Sequence, residues 1–99
     1  MKVNIPVETG NAASKAGKLG TIIQSILAEL KPEAAYFSDS DGQRTGYLFF
    51  DMQDAAQIPA VAEPWFLAFN ANIEIHPAMI ADDLARASGA IKKAVKKYA

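Results

Sequence analysis

The only histidine of the chain, His76, is the side chain best suited to proton transfer near neutral pH. Glu74 lies two residues earlier, so in an extended strand both side chains point the same way. A general base is therefore one interpretation of His76, and a surface residue beside the edge-strand proline, Pro77, is the alternative. With no cysteine and no second histidine, the sequence does not favour a zinc site. We accordingly expect neither a metal nor a cofactor.

A dense aromatic stretch, "PWFLAFNANIEIHP" (64–77), contains the second set of candidates. Trp65 and Phe69, followed by the amide of Asn70, are residue types that would line a largely apolar pocket for a flat aromatic molecule. The same residues are also typical of a small packed core, in which the Trp65 N–H would need a hydrogen-bond partner. Both interpretations stay open at this point.

Arg44 is the only Lys or Arg between Glu33 and Asp83, a stretch that contains nine acidic residues. This isolation predicts an ion pair between Arg44 and a neighbouring acid, and a clamp for the carboxylate of a substrate is the sharper alternative. Catalytic residues stay unknown, since no Gly-x-Ser-x-Gly or other nucleophile motif is present. The candidates are therefore for ligand binding only: Arg44, Trp65, Phe69, Asn70 and His76.

Composition limits the class of protein. The 99 residues fit one domain (1–99), and 51% apolar with 21% charged residues is an ordinary globular composition. No apolar run approaches the ~20 residues of a membrane span, and "MKVNIPVETG" does not have the pattern of a signal peptide. We therefore predict a cytoplasmic protein. The basic tail, with Lys92, Lys93, Lys96 and Lys97, is interpreted as the solvated face of a last helix, so neither nucleic acid nor a membrane is expected as a partner.

Hydrophobic periodicity predicts the elements that position these residues. Period-two alternation predicts strands over 2–8 and 72–79, and apolar residues at helical spacing predict a helix over 12–30 with a bend near "GKLGT". Further strands are predicted over 34–38 and 44–53, joined by an Asp41-Gly42 hairpin. Asp54 would cap a helix that extends to about residue 70 and that Pro64 kinks or divides, and a last helix covers about 82–98.

This order of elements is strand, helix, strand, strand, helix, strand and an extra helix. It predicts an α+β fold: a ferredoxin-like βαββαβ sandwich whose antiparallel four-stranded sheet has the order 4-1-3-2, plus a C-terminal helix. Both crossover helices would then cover the same face of the sheet. Pro77 fits this arrangement because the fourth strand lies at an edge, where a missing amide hydrogen costs little.

The other face of the predicted sheet should be polar, but Tyr36, Tyr47 and Phe49 fall on it. Burying each ring is worth on the order of 2 kcal/mol, and an exposed cluster of this kind is typical of an interface. Either the last helix folds under the sheet, or a second protomer packs its own sheet against this one. We favour the second arrangement, and predict a homodimer formed through the sheet face.

Two segments, "RTGYLFFDMQDAAQIPAVAEPWFLAFNANIEIHPAM" (44–79) and "LKPEAAYF" (30–37), resemble small bacterial proteins of the dimeric α+β barrel superfamily. The likeness spans most of 3–85 and is greatest to an uncharacterised group of stand-alone domains, so it implies a fold and dimerisation rather than an activity. The wider superfamily includes cofactor-less quinone-forming monooxygenases, muconolactone isomerase and haem-binding members, whose ligands lie between the sheet and its own helices. The resemblance therefore implies a homodimer that binds a small apolar molecule or a protein partner, with a cofactor-less monooxygenase or isomerase acting on a ring compound as the alternative.

Overall fold

The computed structural model describes residues 1–99 as four strands and five helices. The strands are β1 (Lys2–Ile5), β2 (Ala34–Ser40), β3 (Gln43–Phe49) and β4 (Asn72–Glu74). The helices are α1 (Val7–Lys15), α2 (Leu19–Leu30), α3 (Ile58–Phe69), α4 (Ala81–Arg86) and α5 (Ser88–Tyr98), and a 3₁₀ turn (Ala55–Gln57) precedes α3.

The four strands form one sheet with the order β2-β3-β1-β4, which read from the β4 edge is 4-1-3-2. Every neighbouring pair is antiparallel. Asp41 and Gly42 join β2 to β3 with φ angles of 55° and 72°, the two positive values that a type I′ hairpin turn requires. The predicted α+β class with a four-stranded antiparallel sheet, and the predicted hairpin, are confirmed.

One face of the sheet is covered by helices α2 and α3, and is called the closed face below. Val3, Ile5 and Leu48 point into it and are almost fully buried. A single core cluster joins the closed face to the helices: Val3, Ile5, Ile26, Leu48, Trp65, Phe69 and Ala71. At the same end of β3, the α-ammonium of Met1 donates to the carbonyl oxygen of Leu48 at 2.7 Å, and burial lowers the pKa of that ammonium group.

The prediction of a first strand over 2–8 is wrong beyond Ile5. Pro6 has no amide hydrogen to continue the ladder and its fixed φ, here −53°, suits the start of a helix. The carbonyl oxygen of Pro6 accepts from the amide of Gly10 at 3.0 Å, so the first helix begins at Val7 and not at the predicted residue 12. The Thr9 hydroxyl donates to the carbonyl oxygen of Phe69 at 2.6 Å and attaches α1 to the end of α3.

The predicted helix over 12–30 is interrupted where the sequence indicated a bend. Helix α1 ends at Lys15 and α2 begins at Leu19, with Gly17 between them at a φ of 70°. This left-handed conformation is favourable for glycine and unfavourable for most other residues. The "GKLGT" segment therefore separates two helices rather than bending one.

The second crossover begins as the sequence predicts. The Asp54 carboxylate accepts from the amide of Ala56 at 2.8 Å, and the Gln57 side chain accepts from the amide of Asp54, which forms a capping box. Division of the helix at Pro64 is wrong, because α3 continues from Ile58 to Phe69 through it. The change of helix type lies earlier, where the 3₁₀ turn passes into α3.

The predicted fourth strand over 72–79 is also too long. Asn72, Ile73 and Glu74 pair with Asn4, Val3 and Lys2. The pairing stops at Glu74, opposite Lys2, and the backbone of Met1 is bonded to Leu48 in β3 on the other side. The apolar alternation beyond Glu74 therefore has no ladder to join.

The predicted last helix over 82–98 is present as two helices, α4 and α5, that meet at Ala87. They form the C-terminal arm (81–98), whose contacts with other elements are too few to pack it against the sheet. The chain has a radius of gyration of 17.5 Å and extends over 59 × 27 × 20 Å, whereas a compact domain of this length has a radius of about 13 Å. The arm thus projects from the body of the protein.

Candidate functional site

The face of the sheet opposite the helices, called the open face below, carries an aromatic patch of Tyr36, Tyr47 and Phe49. Lys2, Tyr47 and Tyr36 are aligned across β1, β3 and β2, so their side chains share one face. They alternate with Val3 and Leu48, which point into the closed face. The rings of Tyr36 and Phe49 meet edge to face, with centroids 6.4 Å apart and an interplanar angle of 77°.

This aromatic patch is substantially exposed to solvent. Tyr36 is 65% exposed and Phe49 47% exposed, while Tyr47 between them is half-buried. Neither α4 nor α5 packs under the sheet. The first of the two arrangements considered from the sequence, a last helix folded under the open face, is therefore absent from this chain.

The remaining part of the open face is polar. Lys2, Asn4, Asn72, Glu74 and Asp41 line a shallow depression of about 230 Å³ above β1 and β4. Nδ2 of Asn4 donates to Oγ1 of Thr45 at 3.1 Å and to the carbonyl oxygen of Ser40 at 3.2 Å. The open face thus has an aromatic half on β2 and β3 and a hydrogen-bonded half on β1 and β4.

Trp65 and Phe69 lie together on the closed face, and Asn70 lies outside it. The two rings stack with centroids 6.3 Å apart and are 0% and 1% exposed. Asn70 ends α3 in the left-handed conformation, at a φ of 53°, and is exposed. The aromatic rings therefore fill the space that a pocket for a flat molecule would need. Of the two interpretations of this stretch, the packed core is the one that the structure shows.

The indole nitrogen of Trp65 is fully buried and has no hydrogen-bond partner. No protein atom of this chain serves as the hydrogen-bond partner that a buried Trp65 N–H was expected to need. An unsatisfied buried donor costs about 1–3 kcal/mol, which the burial of a large aromatic ring offsets.

Arg44 points to the closed face, since it pairs with Ile5 in β1. Its Nη1 donates to Oδ1 of Asn11 at 3.1 Å and passes over Gly10, where a Cβ atom would approach Nη1 to 2.7 Å. The predicted ion pair with a neighbouring acid is wrong, because the guanidinium takes an amide partner on α1. Its role as a clamp for a carboxylate remains a prediction.

His76 follows the end of β4 by two residues. Its Nε2 is 3.7 Å from Oε2 of Glu74, and the two side chains are 77% and 62% exposed. The structure brings this pair together as the sequence indicated, but no enclosing wall surrounds it. No cluster of three or more His, Cys, Asp or Glu side chains could hold a metal ion.

A groove that the candidate residues do not include opens where β3 ends between α2 and α3. It has a volume of about 520 Å³, and its apolar floor consists of Leu30, Phe50, Met52, Ala60 and Val61. Three acids, Glu29, Glu33 and Asp51, lie at its rim together with Lys31. We call it the acid-rimmed groove.

The acids at the rim of the groove could have been brought together from the sequence through the predicted hairpin. The Asp41-Gly42 hairpin fixes the register, and the amide of Glu33 donates to the carbonyl oxygen of Phe49 at 2.8 Å. Extending that register by one residue sets Glu33 beside Phe50 and Asp51. The acids before β2 and after β3 therefore meet because the hairpin aligns them.

Comparisons with known protein families, with characterised proteins and with solved structures found no match to this chain. None of the five helices combines the length and the apolar character needed to cross a lipid bilayer. The open face and the acid-rimmed groove are therefore the two candidate functional surfaces of the chain.

Proposed function

We propose that this chain is a homodimeric binding domain of the ferredoxin-like, dimeric α+β barrel type, in which two copies pack their open faces together. The single observation that carries the proposal is the exposed aromatic patch. Tyr36 and Phe49 are exposed on the second face of the sheet. In an antiparallel sheet with one face packed and the other in solvent, that second face is ordinarily polar.

A second copy is the occupant that this face favours. An exposed aromatic cluster on a sheet marks an interaction surface, and the chain's own C-terminal arm does not cover it. Sheets that pack face to face lie about 10 Å apart and interdigitate the side chains of their inner faces. A second open face offers the same aromatic and polar halves, so aromatic rings and hydrogen-bonding groups both find partners.

The binding role follows from what the dimer leaves accessible. With Trp65 and Phe69 packed in the core, the acid-rimmed groove is an accessible depression with apolar lining beside the covering helices. A protein segment or a small apolar molecule with a positive charge suits its apolar floor and acidic rim. The alternative, a cofactor-less monooxygenase or isomerase near Trp65, has no cavity at that residue to support it.

The oligomeric state tests the proposal. Light scattering at micromolar concentration should give twice the 10.6 kDa mass of one chain. The double variant Tyr36→Ser, Phe49→Ser should give the mass of one chain with an unchanged circular dichroism spectrum, because both side chains are exposed in the single chain. Each lost ring removes on the order of 2 kcal/mol from the interface of each protomer.

A matched control is Leu67→Ser. Leu67 is exposed on α3, away from the sheet, so its loss should leave the mass of the dimer unchanged. A wild-type protein that scatters as a single chain of 10.6 kDa at these concentrations would refute the proposal.

A further inference from the structure

The C-terminal arm has the pattern of a helix that needs a partner. Its apolar side chains recur at helical spacing and all but Ala87 are more than half exposed: Leu84, Ala87, Ile91, Val95 and Tyr98. Lys92, Lys93, Lys96 and Lys97 occupy the remaining sides of α5. A helix of 11 residues is marginal in water on its own, so an amphipathic face of this kind is stabilised by packing.

The acid-rimmed groove has the complementary chemistry. Its floor is apolar, and three acids against the single Lys31 make its rim negative. A helix that places its apolar stripe on this floor would bring its flanking lysines toward those carboxylates. Such complementarity fixes the partner and its register and suppresses incorrect partners.

The arm and the groove also lie at the same end of the sheet. Both β3 and β4 are antiparallel to β1 and end beside Lys2, where Tyr47 and Glu74 pair with it. The arm follows β4 and the groove follows β3. The arm and the groove nevertheless lie at opposite edges of the sheet. The arm follows β4, which is one edge strand, and the groove lies beside β2, which is the other.

We propose that the C-terminal arm of one copy docks in the acid-rimmed groove of a second copy, so that two chains exchange arms. This inference rests on the homodimer proposed above and specifies how the two copies are held together. The arm of each chain makes few contacts with its own body, and the chain extends over 59 Å, which favours exchange over folding back onto its own groove.

The size of the open face supports the exchange. Strands of four, seven, seven and three residues cover about 340 Å² of sheet plane, at a rise of about 3.4 Å and a strand spacing of about 4.8 Å. A stable interface buries about 800 Å² on each partner. The footprint of the open face is therefore small, and two exchanged arms would enlarge the contact between the copies.

Two single-cysteine variants test the exchange, since the chain has no cysteine of its own. Ala60→Cys places a thiol in the groove, and Val95→Cys places one on the apolar stripe of α5. The two full-length variants carry tags of different size, are equilibrated together and are then oxidised. A mixed disulfide between them can only join two chains.

The expected result is a mixed disulfide formed at least about tenfold faster than with the control variant Ser14→Cys in place of Ala60→Cys, because docking raises the local concentration of the two thiols. Ser14 is exposed on α1, outside the groove. Light scattering of each variant establishes that the dimer is present before oxidation.

Other outcomes overturn the inference, and they separate it from the proposed function. Dimers without an excess of the mixed disulfide would show that the arm docks elsewhere, while the dimer itself stands. Single chains in light scattering would refute the dimer and the exchange together. The double variant Ala60→Cys, Val95→Cys tests docking within one chain. If it forms an intrachain disulfide and no interchain products, the arm docks in the groove of its own chain.

Charge reversal provides a second readout that does not depend on oxidation. Lys92→Glu with Lys96→Glu should weaken the dimer, and adding Glu29→Lys with Glu33→Lys should restore it. Anionic phospholipid vesicles provide the opposite outcome. If the wild-type dimer binds them through the arm, and the mixed disulfide is lost in their presence, the arm binds a membrane surface and the exchange is contradicted.

Discussion

Along β1 and β3, the closed and open faces of the sheet carry apolar side chains of similar size but bury them to very different extents. Leu48 and Phe49 are neighbours in β3 and point to opposite faces, so that Leu48 is 1% exposed and Phe49 is 47% exposed. On the closed face the chain supplies its own cover, with α2 and α3 packed on β1 and β3. On the open face it supplies none.

This difference shows which part of the molecule a single chain completes. The closed face has a continuous core around Val3, Trp65 and Phe69, formed within one chain. The open face and the C-terminal arm retain apolar surface that only another molecule can cover. Substitutions on the two faces should therefore differ in kind: one class changes folding, and the other changes association.

The largest effect is expected for Trp65→Ala on the closed face. Removing a fully buried aromatic side chain from the core should lower the free energy of unfolding by about 3–5 kcal/mol, a large fraction of the about 5–15 kcal/mol of a typical domain. Urea denaturation followed by circular dichroism measures the loss. The control is Phe66→Ala, whose side chain is partly exposed on the same helix; an equal loss for both variants would contradict the assignment of Trp65 to the core.

The second prediction compares the two neighbours in β3 directly. Leu48→Ala should lower the free energy of unfolding by about 2–5 kcal/mol and leave the dependence of unfolding on protein concentration in place. Phe49→Ala should change the stability of the single chain by no more than about 0.5 kcal/mol and remove most of that concentration dependence. Denaturation series at several protein concentrations measure both effects, and a Phe49→Ala variant that keeps the full dependence would show that the open face is not an interface.

The features that could be predicted from the sequence depend on local patterns. Asp41-Gly42 specifies its hairpin turn through two positive φ angles, and Asp54 with Gln57 specifies a capping box. Alternation in β3 placed Tyr47 and Phe49 opposite Leu48 because successive side chains in a strand point to opposite faces. Each of these signals lies within a few residues.

The features that were missed depend on contacts between distant segments. Apolar alternation alone predicts a fourth strand to residue 79, whereas its pairing with β1 stops at Glu74, opposite Lys2. Arg44 was expected to find an acid, but α1 brings Asn11 to it. The acid-rimmed groove was missed for the same reason, since its lining comes from the end of α2, the segment after β3 and the start of α3, and no single stretch contains all three.

The smallest predicted effect concerns the polar half of the open face, where hydrogen bonds take the place of packing. Asn4 bridges β1 to Thr45 in β3 and to the carbonyl oxygen of Ser40 in β2. Asn4→Ala removes both bonds and should lower the free energy of unfolding of the single chain by about 1 kcal/mol. Asn72→Ala is the matched control, because Asn72 is exposed in the neighbouring strand and its side chain takes no part in that network. Amide hydrogen exchange should show faster opening at the β2–β3 hairpin in Asn4→Ala only. Equal exchange rates in the two variants would mean that backbone hydrogen bonds alone stabilise this half of the sheet. The polar side chains would then be available for contact with a second copy.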